Sequence, residues 1–235
     1  MNGEGSVLLE EDIMKDNSRE NKSYKEAIEA LEKMAELDVD SGEAYLQLGN
    51  IYLELGEPKK AYNYFKQALK RDPNFYEAQF NIAKALTELG KAEEAIQAYQ
   101  KDFELNPEDP DILINMGVIF SDQGLHLKAI NCYEQALVID PDSFMAYSNL
   151  GVEYTDLGQY DKALTYHKKA LSLNSFYSEG WYNLACFYAQ QRDVEKALVA
   201  LKRAIKLDSS NKDFAKEDPD LINLEDNEIF KQLID

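Results

Sequence analysis

One dipeptide returns along this chain at a fixed interval. Asp72-Pro73, Asn106-Pro107 and Asp140-Pro141 lie 34 residues apart, and Asn174-Ser175 and Asp208-Ser209 keep the series in step. Gly56, Gly90, Gly124 and Gly158 follow the same interval, as do Ala61, Ala95, Ala129, Ala163 and Ala197. A period of this length, without the two-residue alternation of strands, predicts a stack of helical hairpins. Folds of this kind present surface more than they build pockets, which directs the search toward binding.

Ending each unit two residues after its Pro, or the equivalent Ser, gives five full units: 42–75, 76–109, 110–143, 144–177 and 178–211. Each reads as two helices, A and B. In the first, helix A is expected over Glu43–Leu55 and helix B from Pro58 to about Lys70. Gly56 is placed to take the left-handed conformation that ends a helix, and Pro58 is acceptable in the first turn of the next. The residue before Pro73 is pushed out of the α region, which stops helix B. Asp109-Pro110-Asp111 reads as an N-cap with Pro at the first helical position. Small residues at one helix-A position (Gly49, Ala83, Gly117, Gly151, Ala185) and the Ala61 series in helix B mark close helix contacts.

Outside these units the pattern loosens. Residues 1–22 read as an irregular, partly helical start, with a helix A expected within Leu8–Asn17 and disorder in the first few residues. Residues 23–41 form a partial repeat, with Ala27 at the small position. Residues 212–235 read as a capping segment, in which Asp226 is expected to cap a helix whose Ile229, Phe230, Leu233 and Ile234 cover the open apolar end of the last repeat.

These residues resemble the tetratricopeptide-repeat family. Unit 42–75 supplies Tyr45, Leu48, Gly49, Tyr52, Ala61, Phe65, Ala68 and Pro73 at the family's marked positions. Unit 178–211 supplies Trp181, Leu184, Ala185, Tyr188, Ala197, Leu201, Ala204 and Ser209. The resemblance implies an all-α fold: a right-handed superhelical solenoid of antiparallel helical hairpins, with helices A lining a concave groove.

Carried onto that groove, one family position gives Gln47, Asn81, Asn115, Asn149 and Asn183. Such a ladder of amides offers a donor and an acceptor at each step to the backbone of an extended peptide. A neighbouring position gives Asn50, Lys84, Val118, Val152 and Cys186, and a third gives Leu46, Phe80, Ile114, Ser148 and Tyr182. The middle of the groove, around Ile114, Val118 and Val152, is therefore expected to be apolar. Glu54, Glu88, Asp122 and Asp156 form one acidic rail, and Glu43, Glu77, Asp111 and Glu179 another. Some family members grip a peptide carboxylate with a cationic clamp. Here Asn50 and Asn81 match two clamp positions, but Leu46, Asp111 and Asn115 stand where its cations belong, so that mode is rejected.

The formal net charge is −19 at pH 7. Phosphate-rich partners would be repelled, which argues against nucleic acid and anionic membranes. Cys132 and Cys186 sit at unrelated repeat positions and read as free thiols. No signal peptide or membrane span is visible, so a cytoplasmic monomer is expected. His126 and His167 lack partners at metal-ligand spacing, and no phosphate loop or nucleophile elbow occurs, so neither catalysis nor a cofactor or metal is expected. His167 reads as a packed core histidine. Asp102 stands where other full units carry Ala68, Ala136, Ala170 and Ala204, and is expected to turn toward solvent. The leading reading is a non-catalytic adaptor that binds an extended, neutral-to-basic protein segment. The alternatives are an assembly factor acting through its convex face or ends, and the recruiting subunit of an enzyme on another chain.

Overall fold

The computed structural model describes residues 23–37 and 42–235. The expected helix within Leu8–Asn17 lies outside them. The chain divides into two compact units, one up to Leu105 and the other from Asn106 to Asp235. The first contains α1 (residues 23–37), α2 (Glu43–Glu54), α3 (Pro58–Arg71), α4 (Tyr76–Glu88) and α5 (Ala92–Leu105). The second contains α6 (Pro110–Asp122), α7 (His126–Ile139), α8 (Phe144–Asp156), α9 (Tyr160–Leu173), α10 (Ser178–Gln190) and α11 (Val194–Leu207). It ends with α12 (Asn211–Glu217), a 3₁₀ segment (Pro219–Leu224) and α13 (Glu228–Ile234).

The same short-range bonds punctuate every hairpin. Gly56, Gly90, Gly124 and Gly158 all have φ between 67° and 69°. After each of them, the next backbone N–H reaches back to a carbonyl five residues earlier, as Glu57 does to Tyr52 (2.8 Å) and Gln159 to Tyr154 (2.8 Å). This closes the last turn of helix A and reverses the chain. Arg192 does the same work with φ 59°, although its side chain disfavours that conformation.

The recurring Asp or Asn closes helix B by a second device. Its carboxylate or amide oxygen accepts the N–H two residues on: Asn74 to Asp72 (2.9 Å), Asp142 to Asp140 (3.0 Å), Phe176 to Asn174 (3.0 Å) and Ser210 to Asp208 (2.9 Å). Asn174 and Asp208 are extended although Ser follows them. The Asx turn, with or without the proline, ends the helix here. Asp109 accepts from the Asp111 N–H, as its N-cap position implies.

Packing follows the small positions. Ala61, Ala95, Ala129, Ala163 and Ala197 are fully buried. A Cβ on Gly49 would overlap the Phe65 ring, and one on Gly117 would overlap Tyr133. Across Gly151 lies His167, buried to 1% exposure. The packed-core reading of this histidine describes its place, and burial lowers its pKa to about 4.

Two expectations fail. Asp102 is fully buried on α5, in register with the buried alanines of the other units, and does not turn toward solvent. Register decides this: the helix face is fixed by its neighbours, so the carboxylate goes inside with it. In the tail, Asn227 rather than Asp226 caps α13, accepting from the N–H groups of Ile229 (2.9 Å) and Phe230 (3.2 Å). Phe230 is buried, with α13 packed on α11 and α12, but Ile229 is 56% exposed. More of the tail's apolar burial comes from Leu221 and Leu224 of the 3₁₀ segment, which packs on α10.

Candidate functional site

Helices A sit side by side within each unit. In the first, α2 touches α4; in the second, α6 touches α8 and α8 touches α10. Equivalent side chains therefore share one face within each unit.

In the first unit, Asn81 donates its side-chain amide to Asn50 Oδ1 at 2.8 Å. Lys84, one turn further along α4, is exposed. In the second unit, Asn183 donates to Ser148 Oγ at 3.2 Å. Asn115 and Asn149 are half-buried, and no comparable bond ties their side chains among the described residues. Val118 is 37% exposed and Val152 half-buried, but Ile114 is buried at 7%. The apolar floor thus rests on the two valines, while Ile114 joins the packing between helices.

Asp122 and Asp156 close α6 and α8 at the exposed edge of this face. The Asp156 carboxyl is pushed above the ordinary range, chiefly by desolvation; His126 lowers it and Asp220 raises it. Asp111, in the other acidic rail, is raised by burial and by the charges of Asp109 and Asp140.

Two features had no counterpart in the sequence reading. His126 Nδ1 lies 2.9 Å from an oxygen of Glu153, whose side chain is 1% exposed. Glu153 occupies a repeat position otherwise held by Ile51, Ala85, Ile119 and Phe187. A carboxylate at an apolar position was the available signal. The other feature is the tail. Tyr182 donates its hydroxyl to Asp218 Oδ2 at 2.7 Å, and the Cys186 thiol donates to the same oxygen at 3.6 Å. Asn223 adds a bond to the Ala189 carbonyl at 3.5 Å. The 3₁₀ segment therefore lies on the helix-A side of the last repeat. Val152, Asp156, Tyr182 and Asn183, all anticipated as groove residues, line one cavity with Asp218 and Asp220.

Against known families, residues 13–216 match the model described as the cilia and flagella-associated protein 70 C-terminal domain, built of tetratricopeptide repeats. The chain belongs to this tetratricopeptide-repeat family. Comparison with curated proteins gives no match. Among solved structures, MamA is 31% identical, with 68% of this chain and 94% of MamA covered and a TM-score of 0.58. TTC0263 of Thermus thermophilus, a thermophilic tetratricopeptide-repeat protein, is 22% identical over 74% of this chain and 94% of its own, with a TM-score of 0.66. YrrB, described as a tetratricopeptide-repeat protein with an unusual peptide-binding site, is 21% identical over 81% of this chain and 99% of its own, with a TM-score of 0.53. The fold class is accordingly the all-α helical-hairpin solenoid of tetratricopeptide-repeat proteins. Among the described residues no helix is long and apolar enough to cross a membrane.

Proposed function

We propose that the chain is a non-catalytic adaptor that holds an extended, neutral-to-basic segment of another protein along its helix-A face. The observation that carries this is the row formed by α6 and α8. Asn115 and Asn149 present amides beside Val118 and Val152, and Asp122 and Asp156 flank them. Amides suit a peptide backbone, the valines suit apolar side chains, and the carboxylates favour cationic ones. Membership of an interaction family and the peptide site ascribed to YrrB support the reading.

Selection from a displayed random-peptide library tests it. Lys- or Arg-containing, non-acidic peptides should be enriched, and their affinity should fall at least tenfold, on the order of 1.4 kcal/mol, in an Asn115→Ala/Asn149→Ala variant. Enrichment of acidic peptides, or unchanged affinity in the folded double variant, would count against it.

A second reading has its own observation. Phe214, Ile222 and Ile229, near the carboxyl end, are 65%, 59% and 56% exposed. They favour assembly through that end. Light scattering should then show a concentration-dependent oligomer that Phe214→Glu abolishes, and a monomer at all concentrations would remove this reading.

A further inference from the structure

The cavity beneath the 3₁₀ segment gathers groups that neither the peptide reading nor the repeat pattern uses. It measures about 120 Å³ and is walled by α8, α9, α10 and the start of the segment. Sγ of Cys186, from α10, and a carboxylate oxygen each of Asp218 and Asp220, from the tail, all lie within 4.8 Å of one another. His167, from α9, lines the same cavity, and neither of its ring nitrogens has a hydrogen-bond partner among the described residues. Buried polar atoms ordinarily find partners, so this imidazole adds an unmet polar demand to the cavity wall. We propose that Cys186, Asp218 and Asp220 form a binding site for a divalent transition-metal ion of the zinc type, in the cavity that the unpartnered His167 also lines.

The chemistry of the donors selects the ion. Calcium and magnesium take oxygen ligands almost alone. A thiolate beside two carboxylates suits zinc or cobalt instead. Tetrahedral bonds of about 2.0–2.3 Å would place donor atoms roughly 3.3–3.8 Å apart, and Cys186 Sγ already lies 3.6 Å from Asp218 Oδ2.

Asp218 is already oriented for such a role. Its Oδ1 accepts the Asp220 N–H at 2.9 Å and its Oδ2 accepts the Tyr182 hydroxyl, the kind of outer support that fixes a ligating carboxylate. Without metal, the Cys186 proton lies between sulfur and Asp218. Burial and the two carboxylates raise the pKa of the thiol, so it stays protonated. The metal replaces that proton, which leaves to solvent while sulfur keeps the bonding pair. The bound ion would pin the tail to α10 and offset the repulsion between Asp156, Asp218 and Asp220. The sequence hides this site because its donors come from the last repeat and an irregular tail, at no fixed spacing.

The test is a cobalt titration of the reduced, chelator-treated full chain. A saturable near-ultraviolet thiolate-to-cobalt band should appear at a single equivalent and be displaced by zinc. It should vanish in Cys186→Ser and persist in Cys132→Ser. Asp220→Asn, an alteration in the tail that leaves the repeats intact, should weaken binding at least tenfold. No thiolate band in the parent chain, a band that survives Cys186→Ser, or parental affinity in Asp220→Asn would overturn the site. None of these outcomes depends on peptide binding.

Discussion

Arg192 carries the left-handed turn that four glycines carry elsewhere, and the mismatch is measurable. A side chain in this conformation costs about 1–2 kcal/mol, while glycine gives back part of that as chain entropy. Arg192→Gly should therefore stabilise the chain by about 0.5–1 kcal/mol, seen as a higher urea midpoint. His167 offers a pH test. Its pKa in the fold is about 4, against 6.5 when exposed. Between these values the unfolded chain binds the extra proton and the folded one does not, so stability rises with pH. The contribution is complete above pH 6.5 and is lost as pH falls toward 4, by about 3 kcal/mol. In chelator, His167→Phe should show a flatter stability profile across that window than the parent; parallel profiles would contradict the assignment. His126 partners the buried Glu153, and His126→Ala should cost about 1–3 kcal/mol in urea unfolding by leaving that carboxylate without its hydrogen bond.

Helix pairs are set by the small residues between them. The Tyr133 ring lies where a Cβ on Gly117 would go, so Gly117→Ala should overpack α6 against α7 and cost about 1–3 kcal/mol. A melting temperature equal to the parent's would show that the two helices can separate freely. At this scale the sequence was most readable. Gly56 and Asp72 act through bonds to their own neighbours, so their positions alone place the helix ends within a residue. Asp102 and Glu153 were misjudged or missed because their burial comes from helices packed around them, which no local spacing encodes. Asn227 took the cap from Asp226 by a single residue, within the ambiguity of two adjacent capping side chains. The fold-back of Asp218 onto Tyr182 and Cys186 lay furthest out of reach, since the tail follows no repeat.

For the chain as a whole, the charge of −19 shapes association more than folding. Attraction to a cationic segment is screened within about 8 Å at physiological salt, so binding of a selected basic peptide should weaken several-fold or more as salt is raised. An affinity indifferent to salt would place recognition in the amides and valines alone. Adaptor function turns on whether α6 and α8 offer their shared face to a partner. Side-chain amide resonances of Asn115 and Asn149, followed by NMR during titration with such a peptide, report on that face directly. Both should shift saturably while the helix-B signals stay still; saturable shifts confined to helices B, with these two amides unmoved, would contradict binding along helices A.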